Sequence, residues 1–180
     1  MNLKNIMNKA ILLIISVFFL FSGCSKDDDE EPQGTDITEK LVINELMPTN
    51  STVVADQDGE YDDWIELYNL SEEDIDISRF YLSDKKDDLT RWQFPAGTVI
   101  RKKGYLIIWA DGDSTTQAGL HTNYKLSAED GENVVLLTPE QQLIDLVEFP
   151  PTLIEQSYAR VPNGTGDFQW TTPTFNAVND

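Results

Sequence analysis

Acidic residues lie close together between positions 56 and 63, and they are the first candidates for a binding or catalytic site. Asp56, Asp58, Glu60 and Asp62 occupy every second position, and Gly59 permits a tight turn between them. Ca²⁺ binds six to eight oxygen ligands, which closely spaced carboxylates on a loop can supply. Two interpretations are open, a Ca²⁺ site formed by these four acids and a solvated acidic turn. The turn is favoured, because the glycine comes too early for an EF-hand loop.

Two further carboxylates, Glu45 and Glu66, lie within patterns typical of β-strands. Paired carboxylates can perform acid–base catalysis. The alternative is structural, with both side chains pointing off the sheet or meeting a base such as Arg91 or Arg160. That alternative is favoured, because the sequence lacks the further groups that a hydrolase needs. His121 is the only histidine, so a zinc cluster is not expected. We expect this residue to lie in a loop.

The N-terminus has the pattern of an export signal. Lys4 and Lys9 precede an apolar run over residues 10–21, and small residues stand before Cys24. The run is too short to cross a bilayer comfortably, since crossing takes about 20 apolar residues. The stretch resembles a bacterial lipoprotein signal with its processing site at residues 21–24. The resemblance implies removal of residues 1–23 and acylation of Cys24, for example with palmitate; the alternative is an uncleaved anchor with a spare thiol.

Residues 24–40 are predicted to form a disordered acidic tether. Asp and Glu fill all five positions of residues 27–31, and like charges keep such a run extended. The run also resembles the acidic tag that directs lipoproteins of some Gram-negative bacteria to the cell surface. We therefore expect an outer-membrane lipoprotein of the cell envelope, exposed at the surface and bound to membrane lipid through Cys24.

The net charge restricts the class of partner. It is −19 for the chain, and removal of residues 1–23, whose only charged groups are two lysines, would make it −21. Such a charge repels phosphate backbones, which argues against nucleic acid and favours basic partners or divalent cations.

The elements that position these residues are short strands. No window has a 3.6-residue period over the length of a helix, whereas Val, Ile, aromatic residues and turn residues alternate throughout. The predicted strands lie at 41–47, 62–69, 80–83, 105–110, 133–138 and 143–149. Residues 105–110 are apolar on both faces and are predicted to form a central strand. The pattern favours one all-β domain over residues 41–180, a sandwich or a barrel.

One face of the predicted central strand carries Tyr105, Ile107 and Trp109, and the other carries Leu106, Ile108 and Ala110. One face must fill the core. The other is either covered by loops or exposed as a patch for a partner or a sugar ring. Covered packing is favoured, because aromatic residues in small sandwiches are usually structural.

The motifs of the domain resemble those of the lamin tail domain family. The resemblance lies in Val42-Ile43-Asn44-Glu45-Leu46-Met47, Asp63-Trp64-Ile65-Glu66-Leu67-Tyr68-Asn69, Phe94-Pro95-Ala96-Gly97-Thr98, Gly104-Tyr105-Leu106-Ile107-Ile108-Trp109 and Arg160-Val161-Pro162-Asn163-Gly164. It implies an immunoglobulin-like β-sandwich that binds other macromolecules and has no associated catalytic residues.

The function expected from these observations is non-enzymatic binding, adhesion or scaffolding at the cell envelope, with an unidentified protein or glycan as partner. A carbohydrate-binding accessory module is the alternative. A Ca²⁺-dependent hydrolase is a third hypothesis, and it requires at least two of the acids to converge in a pocket. No cofactor other than Ca²⁺ is predicted.

Overall fold

A computed structural model describes residues 37–113, 118–152 and 154–180 of the chain. The predicted signal segment, Cys24 and most of the predicted tether lie outside these residues. The predicted tether ends earlier than residue 40, since Ile37–Glu39 form a 3₁₀ turn, η1, with Ile37 packed against the core. Within the described part of the chain, no helix is long and apolar enough to span a membrane.

Eleven β-strands account for the regular structure, and the described residues contain no α-helix. In chain order the strands are β1 Leu41–Met47, β2 Asp63–Asn69, β3 Ile75–Asp76, β4 Tyr81–Ser83, β5 Trp92–Gln93, β6 Val99–Ile100, β7 Tyr105–Ala110, β8 Glu132–Leu137, β9 Leu143–Phe149, β10 Ser157–Val161 and β11 Asp167–Thr171. The prediction of an all-β fold is confirmed.

The strands form two main antiparallel sheets. A five-stranded sheet has the order β11-β10-β1-β2-β7, a four-stranded sheet has the order β5-β4-β8-β9, and β3 pairs with β6 in a small third sheet. The architecture is consistent with an immunoglobulin-like sandwich. The expectation that residues 105–110 form a central strand is wrong, because β7 is at the edge of its sheet.

The core lies between the two main sheets and follows the alternation of each strand. Ile43, Ile65 and Ile108 point inward from the five-stranded sheet, and Val134 and Val147 point inward from the four-stranded sheet. Side chains at alternate positions point to the opposite face. We call the side of the five-stranded sheet that points away from this core the outer face.

Both faces of β7 are nevertheless buried near its end. Ile108 and Ala110 belong to the core, while Trp109 on the outer face is 2% exposed within a second cluster with Met47 and Trp64. The strand is apolar on both sides because the outer face is covered. Its apolar composition therefore does not require a central position in the sheet.

Candidate functional site

A β-bulge in β1 brings two acidic side chains together on the outer face. The register between β1 and β2 shifts between Ile43 and Glu45, which places Glu45 directly opposite Glu66. The extra residue, Asn44, donates a hydrogen bond from Nδ2 to Glu66 Oε1 at 2.8 Å. Asn44, Glu45 and Glu66 are all fully buried. The bulge therefore concentrates polar groups at one point of the sheet, as bulges often do. We call Glu45 and Glu66 the carboxyl pair.

The end of the chain covers the carboxyl pair. We call residues 172–180 the C-terminal segment. Thr174 donates from its backbone N to Glu45 Oε1 at 2.9 Å, and its Oγ1 lies 2.7 Å from Glu45 Oε2. The backbone N of Asn176 donates to Glu66 Oε2 at 2.8 Å. Both carboxyl groups thus hold the C-terminal segment against the sheet.

Asparagine side chains complete this polar network. Asn179 donates from Nδ2 to the carbonyl oxygens of Asn44 at 3.2 Å and Arg160 at 3.1 Å. The Oδ1 atom of Asn163 accepts hydrogen bonds from Asn44 Nδ2 and from the backbone N of Asn179, both at 3.1 Å. Asn44 Oδ1 accepts from the backbone N of Gly164 at 2.9 Å. The network therefore joins the C-terminal segment to β1, β10 and the turn after β10.

An aromatic cluster lies beside the carboxyl pair on the same face. Phe175 of the C-terminal segment packs edge-on against Trp64, with ring centroids 5.3 Å apart, and stacks on Trp109 at 5.6 Å. Met47 belongs to the same cluster. The tryptophans of the outer face are thus covered by Phe175 and form no open aromatic platform.

The electrostatics of the carboxyl pair follow from burial. Desolvation is the largest cause that raises the pKa of Glu66, to about 8, and the negative charge of Glu45 adds to it; hydrogen bonds from Asn44 and Asn176 act in the opposite direction. The bases expected beside the pair lie elsewhere, because Arg91 pairs with Asp84 and Arg160 pairs with Asp145. The pair is held by neutral donors, so its role here is to fix the C-terminal segment.

We call residues 56–62 the acidic loop. Its first residue, Asp56, closes a turn. Asp56 Oδ1 accepts hydrogen bonds from the backbone N of Asp58 at 2.9 Å and of Glu60 at 2.8 Å. Asp58 and Glu60 are exposed, and Asp56 is buried. The Oδ2 atoms of Asp56 and Asp62 are buried without a hydrogen-bond partner among the described residues. Only Asp56 and Asp62 thus point into the protein.

Charge accumulates around these two acids. Burial, followed by the charges of Asp111 and Asp56, raises the pKa of Asp62. Burial also raises the pKa of Asp63 to about 7, against the opposing effect of Lys125. No group of three or more metal-ligating side chains converges within the described ranges. The Ca²⁺ site at Asp56, Asp58, Glu60 and Asp62 stays a prediction.

His121 is buried and held at both ring nitrogens. Nδ1 lies 2.8 Å from Asp111 Oδ2, and Nε2 lies 3.1 Å from the carbonyl oxygen of Ala118. Burial lowers the pKa of His121, but the hydrogen bonds to Ala118 and Asp111 outweigh this and raise it. A bridge to Trp109 anchors this stretch beside the edge strand β7. His121 therefore pairs the loop with the end of β7.

The chain matches the model of a known protein family. The family model described as Lamin Tail Domain matches residues 36–150. The chain belongs to the lamin tail domain family. The resemblance seen in the sequence motifs is thereby confirmed. No curated protein matches the chain.

The family match ends before the last part of the lamin tail domain seen here. It stops at residue 150, whereas β10 and β11 extend the same five-stranded sheet and the C-terminal segment closes its outer face. The match therefore includes Asn44, Glu45 and Glu66. It does not include the residues of the C-terminal segment that donate hydrogen bonds to the carboxyl pair.

Sequence reasoning singled out the two glutamates of this site but missed the residues that cover them. Thr174, Asn176 and Asn179 bond the carboxyl pair or its neighbours, and Phe175 fills the aromatic cluster. The available signal was a lone aromatic residue within a polar tail that follows the last strand. Phe175 is the only aromatic residue in that tail, so its ring marks where the tail docks.

Proposed function

We propose that this protein is a lipoprotein that displays its lamin tail domain as a non-enzymatic interaction module at the cell envelope. The family supports the coarser part of this proposal, since lamin tail domains are immunoglobulin-like and non-catalytic. The lipid anchor, the surface location and the binding or scaffolding role are the finer parts that the proposal adds.

One observation carries the non-enzymatic assignment. Glu45 and Glu66 are the acidic pair best suited to acid–base chemistry, and both are fully buried beneath the C-terminal segment. General acid–base catalysis requires a carboxyl group within hydrogen-bond reach of a substrate. These carboxyl oxygens instead bond the chain itself, so they serve the fold.

The N-terminal sequence supports the anchor. A basic start, a short apolar run and small residues before Cys24 agree with a lipoprotein signal. Two or more acyl chains on one cysteine would bind a membrane stably, since each buried CH₂ contributes about 0.8 kcal/mol. The acidic residues after Cys24 would then hold the domain away from the lipid.

The net charge of the chain supports a basic protein partner. With a net charge of −19, the chain attracts cationic surfaces and repels nucleic acid. Exposed acids in the loop before β2, such as Asp58 and Glu60, contribute to this field. Association driven in this way should weaken as salt is raised.

Chemical crosslinking on intact cells tests the binding role. The wild-type chain is compared with a control that retains only residues 1–40, which keeps the predicted anchor and tether without the domain. We expect crosslinked protein species with the wild type that the control lacks and that diminish in high salt. Identical species from both would assign the binding to the tether and overturn the proposed role of the domain.

A carbohydrate-binding module is a second candidate, favoured by one aromatic set. Tyr158 of β10 stacks on Phe168 of β11 at 5.2 Å and lies 4.9 Å from Trp170, and all three rings are half-buried. Sugar rings pack on such rings. Binding on a glycan array that Trp170→Ala abolishes would support this candidate, and an array without binding would remove it.

A further inference from the structure

Four strands form the edges of the two main sheets, and β11 is the least protected of them. The end of β7 is closed by residues 120–122, since Trp109 N donates to the carbonyl oxygen of Leu120 and Thr122 N donates to that of Trp109. β5 has only two residues, and β9 is broken by a bulge at Ile144 and carries two acidic residues. Features of this kind keep sheet edges from pairing with other chains.

The edge strand β11 has little of this protection. It runs for five residues without a proline or a bulge, and Asp167 at its start is its only charged residue. Among the described residues, no strand lies on its far side and no backbone hydrogen bond from a loop reaches it. Its residues are exposed or half-buried, unlike the mostly buried residues of β1 and β2. β11 is therefore open to another strand.

The peptide groups that face this open edge belong to two residues. In an antiparallel sheet, successive residues of a strand direct their N–H and C=O groups to opposite sides. The carbonyl oxygen of Arg160 points towards β1, because it accepts from Asn179, which also donates to the carbonyl oxygen of Asn44. Arg160 lies opposite Phe168, so this pair exchanges no hydrogen bonds and Phe168 directs its peptide groups outward. Trp170, two residues further on, does the same.

One self-pairing register satisfies all of these groups. If two copies of β11 pair antiparallel about Gln169, Phe168 of each copy lies opposite Trp170 of the other, and their outward N–H and C=O groups bond one another. A register centred on Phe168 would instead place Trp170 opposite Gly166, in the preceding turn. A register centred on Trp170 would place Phe168 opposite Thr172, beyond the end of the strand.

The side chains fit the same register. Phe168 and Trp170 lie on the core side of the sheet, with ring centroids 5.2 Å and 4.9 Å from that of Tyr158. Both rings are half-buried, so the rings of a second copy would continue the aromatic row and cover them. Asp167 of each copy would lie opposite Thr171 of the other, so no like charges meet within the ladder.

We propose that β11 is a dimerisation edge, at which two copies of this chain pair antiparallel about Gln169 and join their five-stranded sheets into one. This goes beyond the proposed function, because it assigns a surface for self-association in addition to binding of a basic partner. The net charge of −19 opposes the approach of two copies. That repulsion is short-ranged, since the Debye length is about 8 Å at physiological ionic strength.

Disulfide trapping in the full chain in detergent tests this register. Gln169→Cys places two thiols opposite each other with Cα atoms about 4.5 Å apart, within reach of a disulfide. Asp167→Cys is the matched control, because it lies on the same face of the same strand but about 13 Å from its counterpart. Both positions are exposed, so neither thiol should disturb the fold. Cys24 is present in both variants, so its own reactivity is common to them.

We expect mild oxidation to give at least about tenfold more dimer linked through residue 169 than through residue 167, as identified by mass spectrometry of the linked peptides. The yield should rise with salt, because screening weakens the repulsion between the two acidic copies, whereas binding to a basic partner should weaken. Equal yields from the two variants, no dimer from Gln169→Cys, or a yield that falls as salt is raised would overturn the proposal.

Discussion

Glu66 makes the stability of the domain depend on pH with a definite sign. Its pKa is raised from 4.5 to about 8 in the folded chain, because it is buried beside Glu45. The carboxyl group of Glu66 therefore loses its proton at a lower pH in the unfolded chain than in the folded chain. The stability that depends on the bound proton is fully present below pH 4.5 and is lost as pH rises towards 8.

Urea unfolding at a series of pH values measures this effect. We expect the free energy of unfolding to fall by a few kcal/mol, as an order of magnitude, between about pH 5 and about pH 8. Glu66→Gln should be less stable at low pH, because its amide nitrogen faces a donor, but its slope with pH should be flatter. An equally steep slope in the variant would assign the dependence to another group, such as Asp63.

A buried asparagine organises the end of β2. Asn69 is fully buried, and its Nδ2 donates to the carbonyl oxygens of Glu73, Ile100 and Arg101 at 2.7, 3.2 and 3.1 Å. Asn69→Ala removes this donor; the carbonyl oxygens of Glu73 and Arg101 keep Ser71 Oγ and the backbone N of Gly104 as donors. The substitution should therefore cost about 1–3 kcal/mol of unfolding free energy. Thermal or chemical unfolding measures the loss.

Asn123→Ala is the matched control for that substitution. Asn123 is exposed, and its side chain donates a hydrogen bond to the carbonyl oxygen of Arg91. We expect its replacement to change stability by no more than about 0.5 kcal/mol. Equal effects of the two substitutions would contradict the structural role given to Asn69.

Calorimetric titration with Ca²⁺ tests the acidic loop. A site that uses Asp56 and Asp62 requires a measurable heat and a higher melting temperature at millimolar Ca²⁺, both lost in Asp56→Asn. Asp58→Asn is the control, because Asp58 is exposed. Absence of both heat and thermal shift in the wild type would remove the site.

At this scale, the sequence identified Glu45 and Glu66 and favoured a structural role for them, but the bases it named, Arg91 and Arg160, pair with Asp84 and Asp145 instead. Alternation within β2 places Glu66 on the outer face, and that much can be predicted from the residue pattern. The bulge at Asn44 shifts the register of β1, and no local signal in the sequence marks it. The partners on the C-terminal segment are more than 100 residues away, so only the tertiary fold brings them together.

Among the elements, the turn between β10 and β11 presses against the outer face. Gly164 has a φ of +71°, and a Cβ there would lie 2.8 Å from side-chain atoms of Leu70 and Tyr68. Gly97 has a similar φ of +83° but open space around it. Both positions therefore have a strained backbone for a residue with a Cβ, but only at Gly164 would that Cβ lie close to other side chains.

Gly164→Ala and Gly97→Ala together measure the cost of that approach. Each should lose about 1 kcal/mol from the positive φ, and Gly164→Ala should lose a further 1–3 kcal/mol, roughly, from overpacking. Chemical unfolding of both variants gives the difference. Equal losses would show that the turn is not tightly packed against β2.

The strands themselves were largely predictable, whereas their order was not. The limits of β1, β7 and β9 agree with the sequence pattern, because alternation and turn residues are local signals. The position of β7 at a sheet edge is a long-range property. Apolar residues on both faces suggested a central strand, but Phe175 buries the second face from outside the sheet.

At the scale of the whole molecule, the chain combines an acidic domain with a predicted lipid anchor. The domain belongs to a non-catalytic family, and its most reactive-looking acids are used to hold its own C-terminal segment. We propose that the protein acts through the surface that it presents and through the place where it is held. The proposed function therefore depends on where the protein is located.

Metabolic labelling with palmitate, followed by membrane fractionation, tests that location most directly. We expect the label to enter the wild-type chain and the chain to sediment with the membrane, whereas Cys24→Ala should carry no label and leave the membrane fraction. Label in Cys24→Ala, or an unlabelled wild-type chain free in the cytosol, would contradict the account.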